Sequence, residues 1–316
     1  MRFDNAVLLI IIGTIALYAI FLFVPDFNLI QEKISNFKIN YLPLIFVIVS
    51  ASWIPIILKW QFLLRTCGIE IPLTKSIAVF LSGMFFEVTP GKIGGLMKSQ
   101  ILKTSSNIPR TKTAPIVLVE KVYDFIGAIV ASIIGIIILG MEPYLIIIGI
   151  LVLSAIFFFM YYGPASELFF NRITKTKFFS KYAKNMSEFH QTIQKSTNVK
   201  IATICILLAV AYWFIVSSAV YYVLIGFDID ALNYLKVLAI YATSTLLGAL
   251  SFIPGGIGVT EGTLTGLLTL EGIDVSTALI LSVMIRLLTL WYSAFIGFIA
   301  LKFTGAFSFL LRTDPD

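Results

Sequence analysis

The sequence predicts an all-α polytopic membrane protein, with about six full transmembrane helices and two re-entrant helical hairpins broken at Pro-Gly, arranged as an inverted repeat. Three observations carry this reading. The first is composition: of 316 residues, 59% are hydrophobic and 13% charged, about half the charged share of soluble domains. So little polar surface cannot cover a core in water, and the bilayer serves as the solvent. The second is a series of apolar runs near the length of about 20 residues that a helix needs to cross. The third is a Pro-Gly motif that occurs twice in matching surroundings.

Six runs qualify as spans: Ala6–Val24, Leu42–Leu64, Pro115–Leu139, Leu145–Tyr162, Ile201–Ile225 and Thr277–Leu301. The first is longer than a signal-peptide core and has no small-x-small cleavage pattern, so it is expected to be retained. Two further regions, Ser76–Val88 and Leu235–Ile253, are apolar but run into a break. Each continues in a short second leg, Gly94–Leu102 and Thr260–Leu270, and the first is too short to cross. Both are expected to enter the membrane and return. Broken backbone at that depth is tolerated only against protein or a water-filled cavity.

Charge sets the orientation. The segment 163–200 holds Arg172, Lys175, Lys177, Lys181, Lys184, Lys195 and Lys200 against Glu167 and Glu188, so it is assigned to the cytoplasm. Lys98, Lys103, Arg110 and Lys112 place the ends of the first hairpin on that side. Glu142, Asp228, Asp230, Glu271 and Asp274 mark outer connections, and the balanced Asp26–Lys38 loop joins them. Arg2, Lys302 and Arg312 then lie inside. A multi-pass protein of the plasma membrane with both termini cytoplasmic results. Four full crossings in place of the two hairpins would keep the same parity.

The breaks read Pro90-Gly91-Lys92-Ile93-Gly94 and Pro254-Gly255-Gly256-Ile257-Gly258. A Thr-Ala pair follows each, at Thr113 and Thr277, so the offset is 164 residues at both places. One transmembrane domain, 1–316, therefore divides into repeat A (about 42–162), the basic loop 163–200 and repeat B (about 201–303). Broken helices in corresponding positions of inverted halves point to a substrate site. Gly and Pro also suit close packing or a kink.

Ionisable residues inside spans are costly and face a cavity or a partner. Glu120, Lys121 and Asp124 fall early in one span, with Glu120 and Asp124 four apart and Lys121 and Asp124 three apart. Arg286 lies inside the last span without an acid in its own helix, so Glu120 or Asp124 is its expected partner. Glu261 and Lys98 open the two returning legs, where free N–H groups suit an anion such as phosphate. Glu87 precedes the first break. Each of these three also suits a solvated rim, and the Glu120–Arg286 pair also suits a lock between helices. Lys59 and Arg65 are expected to snorkel to the inner surface. Tyr212, Trp213 and Trp291 read as packing or interface residues. Cys67, Cys205 and His190 form no disulfide framework or metal cluster. No cofactor, metal or nucleic-acid partner is expected, and no Walker-type loop appears.

The run Leu58 to Gly68, the first break, Val119-Glu120-Lys121-Val122-Tyr123-Asp124, and Pro254 to Gly262 with Arg286 occur in one order. That ordered set resembles the lysylphosphatidylglycerol synthase transmembrane-region family, also called flippase-like or UPF0104 membrane proteins, over nearly the whole chain. The resemblance implies lipid handling. Relatives join this module to a soluble aminoacyltransferase domain and translocate aminoacylated phosphatidylglycerol, or accompany glycosyltransferases and lipid-linked sugars. By position, the family's acidic-basic-x-x-acidic pattern falls on Glu120, Lys121 and Asp124, its second-break acid on Glu261 and its late arginine on Arg286. The chain departs from relatives at Gly95, where many have an acid, and at Lys98, where they often have arginine. The synthase domain has no counterpart here, so the name is not expected to describe an activity. The leading expectation is a lipid translocase for an anionic or aminoacylated phospholipid or a lipid-linked sugar, served by a separate synthase or glycosyltransferase, with the hairpins lining a polar chamber where Glu120, Asp124 and Arg286 contact the head group and Lys121, Glu261, Lys98 and Glu87 are further binding candidates. It is favoured over an enzyme. The rivals are a transferase using Glu120 or Asp124 as general base, and a non-catalytic anchor for such a synthase.

Overall fold

The computed structural model describes residues 35–88, 95–138, 147–155 except 148, and 195–304 except 197. The expected span Ala6–Val24, most of Leu145–Tyr162, nearly all of the basic loop and the first break with Pro90, Gly91 and Gly94 lie outside the described residues. The described residues form helices and turns without strands.

Helix α1 (Tyr41–Thr66) is followed by α2 (Leu73–Phe85), which ends in a 3-10 turn, Phe86–Val88. Then come α3 (Met97–Ser106) and α4 (Arg110–Ile138). In the second half, α5 (Val199–Gly226) leads to α6 (Tyr234–Leu250). A 3-10 turn at Pro254–Gly256 separates α6 from α7 (Val259–Leu270). Last come α8 (Val275–Arg286), a π-helical turn Leu287–Trp291 and α9 (Tyr292–Phe303), which together make one 29-residue rod.

The starts are set by short polar side chains. Asn198, Asn233 and Asp274 accept the orphan N–H groups of α5, α6 and α8. Helix α3 stops at Asn107, which takes the left-handed conformation at φ 54°. Pro109 then fixes the turn into α4. The first returning leg was expected at Gly94–Leu102 and its helix begins and ends later, at Met97–Ser106.

Helices α1, α5 and the α8–α9 rod are long and apolar enough to cross a membrane. Helix α4 has the length, and it carries Glu120, Lys121 and Asp124. Helices α1 and α5 pack along each other in opposite directions. At one end the Lys38 N–H donates to the Gly226 carbonyl at 2.9 Å, and the Lys38 ammonium pairs with Asp228. At the other end Cys67 Sγ lies 3.4 Å from Ser196 Oγ.

Helices α2 and α3 pack together, and so do α6 and α7. In both pairs the second helix returns to where the first began. Lys75, near the start of α2, donates to the Ser105 carbonyl near the end of α3. Lys236, near the start of α6, pairs with Glu271 just past α7 at 2.6 Å. The leading helix of each pair packs on the other half's long element: α2 on α9, and α6 on α4. The two 3-10 turns touch.

Without a hydrophobic drive between helices in lipid, close approach at small residues supplies the packing. On α9, a Cβ at Gly297 would sit 2.6 Å from the Phe85 nitrogen and 2.7 Å from the Leu81 oxygen. Both are backbone atoms of α2 and cannot swing aside. Gly297→Ala is therefore expected to destabilise the protein by about 1–3 kcal/mol through overpacking. Gly262→Ala, on α7 with open space around it, is expected to be neutral or slightly stabilising. Thermal unfolding of the two variants in one detergent checks the contrast.

Candidate functional site

The second break is built by glycine. Gly255, Gly256 and Gly258 have φ of 60°, 65° and 85°, a region where a side chain is strained. Gly256 also lies so close to α6 that a Cβ would meet the Gly248 backbone at 3.0 Å. Phe252 takes φ 55° without being glycine, so it carries local strain at the end of α6.

Such a turn frees backbone groups, and two charged side chains take them up. Glu261, at the third position of α7, accepts the Gly258 N–H at Oε2 (2.7 Å), reaching back over the helix start. Its Oε1 accepts from Arg286 Nε at 3.0 Å. The Arg286 guanidinium also donates to the Gly255 carbonyl. Arg286 and Glu261 are 3% and 1% exposed. The free N–H groups expected to await an anion at this leg are thus met, at Gly258, by the protein's own carboxylate.

This arrangement corrects the expected partner of Arg286. It is Glu261 from the neighbouring break, in place of Glu120 or Asp124 of the other half. Glu120 pairs with Lys98, and both are buried. The Lys98 stem crosses α2 at Gly83, where a Cβ would lie 2.5 Å from Lys98 Cγ. Its ammonium sits 4.6 Å from the Trp60 ring centre and 4.7 Å from that of Phe80, within cation–π range. Lys98 and Glu261 are therefore interior residues, not rim positions.

Asp124 pairs with Lys59 and lies 3.7 Å from the Lys121 ammonium, the expected i,i+3 contact. Lys121 also pairs with Glu87 beside the first break. Lys59 does not snorkel to the inner surface. It is fully buried on α1, because Asp124 offers it a partner in the interior. Arg65, one turn and a half later, is exposed as expected.

These pairs surround a cavity of about 350 Å³ between the two halves, the size of a small-ligand site. Glu87, Lys121, Asp124 and Arg286 reach its wall. Glu120, Lys98, Lys59 and Glu261 stand behind the wall and hold those that do. The rest of the wall includes Trp53, Tyr212, Trp213 and Tyr241. Tyr212 and Trp213, read from the sequence as packing or interface residues, lie on the cavity, because a span's apolar pattern does not show which face meets a void. Leu250, Phe252 and Ile253 also line the cavity and are 50%, 71% and 42% exposed. The opening beside the second break is therefore apolar.

A model of the lysylphosphatidylglycerol synthase transmembrane region matches residues 8–297. The chain belongs to that family. Among its relatives in the lysylphosphatidylglycerol synthase transmembrane-region family is a UPF0104 membrane protein of Pyrococcus horikoshii, 24% identical over 321 residues, covering 92% of this chain and 94% of the relative. A UPF0104 membrane protein of Methanothermobacter thermautotrophicus is 22% identical over 326 residues, covering 95% of each. The chain is thus an integral membrane protein with family likeness along its length.

The Glu261–Arg286 contact gives a direct test. Removing one partner of a buried pair leaves a charge in low dielectric, at a cost of about 3–5 kcal/mol. Arg286→Met is expected to destabilise by that amount. Glu261→Met combined with Arg286→Met is expected to cost less than the two single changes together. Melting temperatures of the three variants in detergent measure the coupling.

Proposed function

We propose that this protein is a lipid translocase that passes a charged phospholipid or lipid-linked head group between leaflets through a polar intramembrane chamber. One observation carries the reading. The cavity joins a wall bearing Glu87, Lys121, Asp124 and Arg286 to an apolar opening at Leu250, Phe252 and Ile253. A head group needs the first and its acyl tails need the second. The family's description names a lysylphosphatidylglycerol synthase, which puts a phospholipid in the same setting.

The proposed architecture has six full spans and two re-entrant hairpins, with repeats at about 42–162 and 201–303 related by inversion. It is supported by length. Helix α2 has 13 residues, α6 has 17 and α7 has 12, which at 1.5 Å per residue falls short of a hydrocarbon core of about 30 Å. It is supported too by the exchanged packing of α2 on α9 and α6 on α4, the relation a two-fold axis would produce. The basic loop supports an orientation with both termini cytoplasmic, and the proposed location is the plasma membrane. Within this reading Asp124 and Arg286 contact the head group. Lys98, Glu120 and Glu261 position them, and the Pro254 break beside the apolar opening admits the lipid. A separate synthase or glycosyltransferase would supply it.

The test is translocation in proteoliposomes carrying head-group-labelled lipids of different charge, with outer label quenched chemically. Wild type is expected to expose inner-leaflet label, and Asp124→Asn to slow this by at least about tenfold while remaining folded. If no labelled lipid moves faster with wild type than in empty vesicles, the translocase reading is wrong. Lipid product made on adding an acyl or glycosyl donor would favour a transferase instead.

A further inference from the structure

Among the described residues, the charges paired around the chamber cancel. Lys59, Lys98, Lys121 and Arg286 face Glu87, Glu120, Asp124 and Glu261, and each of the eight is engaged in an ion pair within this group. That makes four cations and four anions among the described residues. A ligand with net charge would leave that charge uncompensated in a region where isolated charges are expensive. A ligand bearing one charge of each sign would exchange with an existing pair and keep the sum at zero.

The wall is equipped for both signs. Arg286 and Lys121 reach the cavity as cations. These donors suit a phosphate oxygen. Trp53, Tyr212 and Tyr241 line the same space beside the carboxylates of Glu87 and Asp124. Aromatic rings with nearby carboxylates are the surroundings that recognise an ammonium group. Lys121 and its partners Glu87 and Asp124 are only part-buried, with side chains 23%, 27% and 31% exposed, so these contacts are open to exchange.

We infer that the chamber selects a zwitterionic head group, a phosphate and an ammonium carried on one lipid, over a head group with net negative charge. This rests on the translocase reading of the same cavity, and the experiment separates the two. The full-length chain is reconstituted in vesicles of equal parts phosphatidylethanolamine and phosphatidylglycerol. A trace of one lipid or the other is labelled on an acyl chain, so that the label leaves the head group intact. In parallel, short-chain forms of both lipids are titrated into the detergent-solubilised protein, and tryptophan fluorescence is followed, since Trp53 and Trp213 line the cavity.

Phosphatidylethanolamine is expected to move and bind in preference, by roughly tenfold or more. Glu87→Gln leaves the chamber one positive charge in excess and is expected to shift the preference toward phosphatidylglycerol. A merely structural Glu87 would alter both lipids alike. Selective binding of phosphatidylethanolamine without movement of either lipid would remove the translocase reading and uphold this inference. Equal or stronger handling of phosphatidylglycerol by wild type would overturn it. So would an unchanged ratio in a folded Glu87→Gln variant, or no binding of either lipid.

Discussion

A helix that breaks in a protein interior frees backbone N–H and C=O groups away from water, and the protein itself must supply their partners. The knot of Arg286, Glu261 and the 254–258 turn meets that requirement. Three left-handed glycines let the chain reverse. Glu261 takes the Gly258 N–H, Arg286 takes the Gly255 carbonyl, and the two side chains neutralise each other. Charge and backbone satisfy one another in a single unit that ties α7 to α8. That unit sits at the wall of the cavity, where Arg286 reaches the open space.

The first half holds its interior charges in pairs as well. Lys98 crosses α2 over Gly83, rests against Trp60 and Phe80, and neutralises Glu120. Lys59, Asp124, Lys121 and Glu87 extend the chain of pairs toward the first break. These pairs bind α1 to α4 and α4 to the turn after α2. The halves meet where the short turns touch, and the cavity opens there. A low dielectric makes each pair strong and each unpaired charge costly, so the polar interior confines itself to the one place where its members reach each other.

The cavity follows from this construction. Short helix pairs that stop within the protein leave space between their tips, and the long elements α1, α4, α5 and α8–α9 enclose it. The π turn directly after Arg286 widens the last helix at the same level, a local form frequent at functional sites. Apolar residues at the end of α6 complete the opening. Their exposure fits an environment in which the surrounding medium is itself apolar.

Much of the fold was legible in the amino-acid order. The long apolar helices α1, α5 and α8–α9 follow from apolar runs, and the break at Pro254 from Pro-Gly, because each depends on neighbours within a few residues. Glu120, Lys121, Asp124, Glu261 and Arg286 stood out for a similar local reason: charge within an apolar run is conspicuous. Which charge meets which was not legible. Arg286 finds Glu261 because the glycine turn folds α7 back beside α8, and Lys59 turns inward because α4 brings Asp124 to it. The aromatic wall of Trp53, Tyr212, Trp213 and Tyr241 stayed hidden as well, since a side chain facing a void and one facing lipid look alike in an apolar run. The order of residues by itself determined that the chain lives in a membrane and that a helix breaks at Pro254. Only the tertiary structure decided the pairing of the charges and the faces of the cavity, because both depend on contacts between helices far apart along the chain.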